Sequence, residues 1–225
     1  MRYDGRNDVS SRDPAVPDDL LLADNDRLWS NTSKVQDFKS TLIEFWQVRL
    51  QLARKMIRIF ALALELPEDY FDAATTHPGA DAVFIHYPVQ STQDPDKIDV
   101  GLGAHTDIQC LTLLWQDMSG GLQVLSTDGE WLDAAPVEGT LVVNIGDLLS
   151  RLSNNKFKST VHRVYNRQKS SRYAMPFFLG FNPEAMCSVV PTCIDDDHPA
   201  LYPPIASGQV SEVIPDAKRS LLTVF

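Results

Sequence analysis

Apolar residues recur every three or four positions in the first third of the chain and fall into short runs later. Val35, Phe38, Leu42, Phe45, Val48, Leu52, Met56, Ile59 and Ala63 form one stripe at helical spacing. This predicts a long amphipathic helix with Ser33 as its N-cap, ended by Leu66-Pro67 and packed against a sheet. Pro67-Glu68-Asp69 is expected to open a short second helix through Ala74. After residue 79 the β-prone runs are 81–87, 110–116, 122–125, 130–133, 140–145, 160–165 and 174–181, with Pro, Gly, Asp or Asn between most of them. Gly120-Gly121 and Asp128-Gly129 have the composition of tight connections. Short strands at such spacing point to a β-sandwich or barrel.

The expected organisation is an irregular N-terminal arm over 1–32, a helical segment over 33–78 and a mainly β core over 79–183. An irregular tail over 184–225 completes it. At 225 residues there is room for one large domain or two small ones. A net charge of −10 argues against nucleic acid or an anionic membrane as partner, because both need a basic surface. The N-terminal residues lack the apolar core of a signal peptide, and no stretch reaches the ~18 apolar residues of a membrane helix. Cys110, Cys187 and Cys193 have no CxxC spacing and read as free thiols in a reducing compartment. A cytoplasmic protein is expected.

Candidate chemistry centres on His105-Thr106-Asp107, with His162 and Arg172 further on. In an extended segment, residues i and i+2 share a face, so His105 and Asp107 can grip one ion together. His162 sits in another extended segment, Ser159–Val164, with about four strand-like runs in between, enough to return the chain beside the first. Two imidazoles and a carboxylate leave one face of a metal open, which suits non-haem Fe(II), although catalytic zinc accepts the same donors. Arg172 tips the balance to iron, because a buried guanidinium suits the far carboxylate of a dicarboxylate co-substrate. His77, His86 and His198 share no metal-like spacing and are expected to be structural, with His86 the one placed to line a pocket. The acidic run Asp195-Asp196-Asp197 reads as a solvated loop.

Further motifs extend this pattern. They include Leu64-Glu65-Leu66-Pro67-Glu68-Asp69-Tyr70-Phe71, Tyr87-Pro88, Gly103-Ala104-His105-Thr106-Asp107 and Leu111-Thr112-Leu113-Leu114-Trp115-Gln116-Asp117. Gly121-Leu122-Gln123-Val124, Trp131, Asn144-Ile145-Gly146-Asp147, Lys158–Val164 and Arg172-Tyr173-Ala174 follow in order. With these the chain resembles the Fe(II)/2-oxoglutarate-dependent dioxygenases of the isopenicillin N synthase-like group, from about residue 40 to residue 183. The resemblance implies a double-stranded β-helix (jelly roll) with a long helix packed on its larger sheet. It implies Fe(II) held by His105, Asp107 and His162, 2-oxoglutarate as co-substrate with its distal carboxylate on Arg172, and O2. It also implies Tyr87 near the co-substrate or substrate.

Two departures from the family pattern carry expectations. Ala174 stands where a serine usually supplies a second hydrogen bond to the distal carboxylate, a loss of about 1.5–3 kcal/mol unless Tyr87 or another donor compensates. The part preceding the long helix is shorter than in typical members, so an uncovered sheet edge and marginal solubility are expected. The resemblance implies an oxygenase that hydroxylates, desaturates or cyclises a small organic molecule, with secondary metabolism as the usual territory. Strand 81–87, Gln109, Phe177, Phe178 and the 183–205 segment are expected to line its pocket. An iron-dependent oxidase that does not use 2-oxoglutarate and a truncated non-catalytic homologue remain as alternatives.

Overall fold

The computed structural model describes residues 1–8, 26–89, 100–165 and 170–213. A short helix α1 (Asp26–Asn31) precedes the long helix α2 (Phe38–Ala63). Helix α2 begins five residues after Ser33, whose hydroxyl instead donates to the Ser30 carbonyl. At its C-terminus Glu65 takes a left-handed conformation (φ 59°). Leu66 N–H then donates to Ala61 and Glu65 N–H to Leu62, satisfying carbonyls the helix leaves open. Leu66 is buried by this reversal and Pro67 prevents continuation. The expected second helix is reduced to a 3-10 turn at Asp72–Thr75.

The face that α2 buries differs from the expected stripe. Trp46, Leu50, Ala53, Ile57 and Ala61 are buried, whereas Val48 and Ile59 are 57% and 55% exposed. Trp46 was absent from the stripe, and it sets the buried face. Its ring packs edge-on against Phe177 at 6.4 Å and tilted against Tyr3 at 5.7 Å.

Nine strands follow that matter for the site. They are β1 (Ala80–Ala82), β2 (Ile85–Tyr87), β3 (Val100–His105), β4 (Leu111–Gln116) and β5 (Leu122–Leu125). After them come β6 (Trp131–Asp133), β7 (Val142–Ile145), β8 (His162–Tyr165) and β9 (Arg172–Leu179), with helix α3 (Asp147–Leu152) between β7 and β8. One antiparallel sheet runs β1-β9-β4-β7, with β2 also on β9, and a second runs β3-β8-β5-β6. Apart from the steps β1 to β2 and β5 to β6, successive strands cross between the two sheets, which is the winding of a jelly roll. The fold is mainly β with flanking α, as expected.

Period-two alternation divides the larger sheet between two environments. Leu111, Leu113, Phe177 and Leu179 belong to the main core with α2. Thr112, Leu114, Arg172, Ala174 and Phe178 line the space between the sheets. That inner space holds a second, smaller apolar cluster built on Tyr87, Leu122, Val164 and Ala174, with Ile85, Leu102, Leu114, Ala134 and Val142 packed against it. The polar side chains of the cavity therefore stand among apolar walls.

Both segments expected to be irregular are tied to the body where they are described. Met1 exchanges two backbone hydrogen bonds with Ala82, at 2.6 and 2.8 Å, along the outer edge of β1. The Asp8 carboxylate receives two hydrogen bonds from Arg54, which also donates to the Thr75 and Thr76 carbonyls. Beyond residue 183, Met186–Cys187 pairs with Ile205–Ala206, and Val189, Val190 and Cys193 are buried in the main core. Asp195 caps an exposed turn, accepting from His198 Nδ1 and from backbone N–H groups of Asp197 and His198. All three cysteines are free and buried. No described helix is long and apolar enough to cross a membrane.

Candidate metal and co-substrate site

His105 and His162 face each other directly, because β3 and β8 pair with these two residues in register. Their ring centroids are 4.2 Å apart. Asp107 lies beyond the end of β3 in a loop, so the extended segment expected over 104–108 stops at His105. That loop is held by the start of α3. Asp147 N–H donates to the Asp107 carbonyl at 2.7 Å, and the Thr106 hydroxyl donates to the Asp147 carboxylate at 2.9 Å. Gly146 makes the approach feasible, since a Cβ there would stand 2.0 Å from the Gln109 carbonyl oxygen.

The donor atoms are oriented before anything binds. Nδ1 of His105 lies 2.8 Å from the Gly103 carbonyl and Nδ1 of His162 lies 3.0 Å from the Thr160 carbonyl. A carbonyl only accepts, so both Nδ1 atoms carry the proton and both Nε2 lone pairs are free. Those Nε2 atoms lie 3.8 and 3.7 Å from Asp107 Oδ1. The other oxygen, Oδ2, accepts from the Thr112 hydroxyl and from Asn144 Nδ2 at 2.7 Å. Burial, then the neighbouring His162, lowers the pKa of His105 and keeps it neutral. Two neutral imidazoles and one carboxylate oxygen within 4.8 Å of one another make a donor set that fits a divalent transition metal.

Arg172 opens β9 and is buried to 1% exposure. Its Nε donates to the Gly120 carbonyl at 2.7 Å and its Nη2 to Gln116 Oε1 at 3.1 Å. Nη1 is buried without a hydrogen-bond partner. An unpaired charged donor in such a place is costly, and a carboxylate is the group that would satisfy it. The Tyr87 ring stands 4.9 Å from the guanidinium, and burial raises its phenol pKa. Gly120 and Gly121 both have positive φ, and a Cβ on Gly121 would meet the Tyr165 carbonyl oxygen at 2.2 Å. The turn that presents the Gly120 carbonyl to Arg172 therefore needs glycine.

One cavity reaches His105, Asp107 and His162 at one end and Arg172 and Tyr87 at the other, with Leu114, Leu122 and Ala174 among its walls. All five expected site residues are brought together. Pocket expectations fared unevenly. Phe178 lines the cavity, but Phe177 faces the opposite side of β9, because consecutive strand residues alternate. Gln109 does not line the cavity, and the segment after residue 183 packs on the α2 side. His86 is exposed on the outer face and stacks on Tyr173 at 4.8 Å, so it lines no pocket with the metal ligands. Thr112, Gln116 and Asn144 were not anticipated as site residues. Their signal was alternation: each is a polar residue on an inward-facing position of an otherwise apolar strand.

A sequence description of the 2OG-Fe(II) oxygenase superfamily matches residues 79–181, the span that contains all of these residues. The chain belongs to this superfamily. Among its relatives is the 2-oxoglutarate-Fe(II) type oxidoreductase ppzC of Metarhizium majus, 41% identical over 84% of this chain and 54% of the relative. Another is the 2-oxoglutarate-Fe(II) type oxidoreductase hxnY of Emericella nidulans, 42% identical over 76% of this chain and 49% of the relative. The chain thus spans about half the length of the curated relatives it matches. A full-length Neurospora crassa protein, solved in complex with alpha-KG and thymine, superposes with a TM-score of 0.74 at 35% identity, covering 79% of this chain and 56% of that one.

Proposed function

We propose that this protein is an Fe(II)- and 2-oxoglutarate-dependent oxygenase acting on a small organic molecule. The unpaired Nη1 of Arg172, in the same cavity as the His105–Asp107–His162 cluster, carries the proposal. His105, Asp107 and His162 would hold the iron, and Arg172, with Tyr87 beside it, would hold the co-substrate. Iron bound in this way, with 2-oxoglutarate and O2, supplies oxidative attack on an unactivated C–H bond and leaves succinate and CO2.

The chain's own contribution is positioning. Nη1 would donate to the distal carboxylate, while Gly120 and Gln116 keep the guanidinium plane fixed. Leu114, Leu122, Val164 and Ala174 exclude water from the walls between the two polar ends. Ala174 lies on the same inner face as Arg172 and supplies no hydroxyl, so Arg172 and Tyr87 would carry the distal carboxylate. The free donor on Arg172 favours 2-oxoglutarate over an oxidase without it. Three mutually facing ionisable groups, Asp107 buried and both histidines partly so, disfavour a non-catalytic role. The superfamily relatives named as 2-oxoglutarate-Fe(II) oxidoreductases support the same function. Secondary metabolism and the reducing interior of the cell are the setting we propose, the latter because all three cysteines are free.

Anaerobic addition of Fe(II) and 2-oxoglutarate is expected to give a weak visible charge-transfer band, lost in Arg172→Ala and in His162→Ala. Bound iron without the band, or oxygen uptake without succinate, would count against the 2-oxoglutarate assignment.

A further inference from the structure

One inward rung of the larger sheet carries more polar chemistry than the metal ligands require. Strand pairing places Asp81, Phe178, Thr112 and Asn144 side by side across β1, β9, β4 and β7. Thr112 and Asn144 hold the Asp107 carboxylate, and Phe178 lines the cavity beside them. Ala80 and Ala82 flank Asp81 and are buried in the main core on the other side of the sheet, so Asp81 projects inward. Adjacent strands lie about 4.8 Å apart, which puts Asp81 roughly 10 Å from the Thr112 position along the rung. Asp81 lies beyond the residues that line the cavity at the metal end, so a ligand that reached both would extend past Phe178 along the rung.

Asp81 is half-buried, and no hydrogen bond or ion pair is made to its carboxylate among the described residues. Burial raises its pKa, while Arg2 and the Met1 ammonium group, the charged groups nearby, pull it down without forming an ion pair with it. With these cations near it but no hydrogen bond to it, the half-buried carboxylate keeps its acceptor oxygens available to a donor on a ligand. Phe178 beside it offers an apolar face to the same ligand.

We infer that Asp81 is a substrate-binding residue of this site and selects substrates that present an N–H donor, as a protonated amine or a ring N–H. The inference rests on the oxygenase function proposed above and adds the substrate's chemical class to it. A carboxylate accepts only, so it rejects a matched molecule whose nitrogen is alkylated or replaced by oxygen or carbon.

The test uses paired probes: succinimide with N-methylsuccinimide, pyrrolidin-2-one with 1-methylpyrrolidin-2-one, and benzylamine with benzyl alcohol. The full chain and its Asp81→Asn and Asp81→Ala variants are first loaded anaerobically with Fe(II) and 2-oxoglutarate. All three should give the same charge-transfer band, which establishes folding and co-substrate binding independently of Asp81. Probe binding is then measured by ligand-observed NMR, and succinate is measured on admitting O2. In the wild type, the N–H member of at least one pair should be favoured by about tenfold or more in both readouts. The preference should fall to near unity in Asp81→Ala. Asp81→Asn should keep part of it for ring N–H probes, through its carbonyl, and lose it for benzylamine. Equal handling of both members in every pair, absence of binding by any N–H probe, or an undiminished preference in Asp81→Ala overturns the inference alone. A missing band in the wild type overturns the oxygenase function itself.

Discussion

Asp107 divides its two oxygens between two tasks: Oδ1 faces the imidazole Nε2 atoms, and Oδ2 is held by Thr112 and Asn144. Removing a holder frees the carboxylate to rotate without removing any ligand. Asn144→Ala should therefore weaken Fe(II) or Co(II) binding by roughly 10–100-fold, measured by metal titration, while the fold persists. An unchanged affinity would show that Thr112 and the loop held by α3 position Asp107 without Asn144. Ala174 allows the opposite experiment. Its side chain shares the inner face with Arg172, so Ala174→Ser would place a hydroxyl on the co-substrate side. A hydrogen bond to a charged group contributes about 1.5–3 kcal/mol, so the Kd for 2-oxoglutarate should fall by about tenfold or more. Equal affinities in a calorimetric comparison would place the distal carboxylate out of reach of residue 174.

At the scale of the element, helix α2 shows why apolar spacing alone misassigns a face. Its sequence offers more apolar residues than one face can bury, and Trp46 decides which set turns inward. Trp46→Ala should cost about 3–5 kcal/mol through the cavity left against Phe177 and Tyr3. Val48→Lys, on the exposed side, should stay within about 0.5 kcal/mol of wild type in the same denaturant titration. Comparable losses in both would restore the expected stripe. The helix ends are equally local in origin. The left-handed Glu65 and buried Leu66 end the helix at Ala63, a few residues before Pro67 would have stopped it.

The whole molecule brings the two sheets to one site. His105 and His162 belong to the smaller sheet and Arg172 to the larger, so metal and 2-oxoglutarate together would bridge them. Ligands that bind only the folded chain stabilise it by about 2.7 kcal/mol each at a hundredfold excess over Kd. Adding 2-oxoglutarate to the metal-loaded chain should thus raise Tm beyond the metal alone, and Arg172→Ala should remove only that second increment. Acid acts on the metal-free chain through the same residues. His105 has a lowered pKa, so the unfolded chain binds its proton more readily than the folded one. Its contribution is complete above the ordinary imidazole range near ~6.5 and is lost as pH falls through its lowered folded value. His105→Gln should flatten this part of the stability-versus-pH curve, and an unchanged slope would exclude His105 as its source.

Much of this was legible in the residues themselves. Short strands, the His-x-Asp and distal His donors and Arg172 follow from residue type and spacing, while the jelly-roll winding and the deficit at Ala174 follow from the family resemblance carried by the ordered motifs. Donor type and spacing are chemical facts that survive any packing. Asp81, Thr112, Gln116, Asn144 and Gly120 acquire meaning only through strand register, because each meets its partner from a strand or turn distant in sequence. The alternation of Phe177 and Phe178, and the Trp46 face of α2, were likewise decided by tertiary contact. Sequence determined which groups could bind metal and carboxylate. Only the packing of two sheets decided which oxygen of Asp107 stays free, which nitrogen of Arg172 is left without a partner, and which carboxylate shares their rung, since hydrogen bonds are satisfied or left open across strands rather than along them.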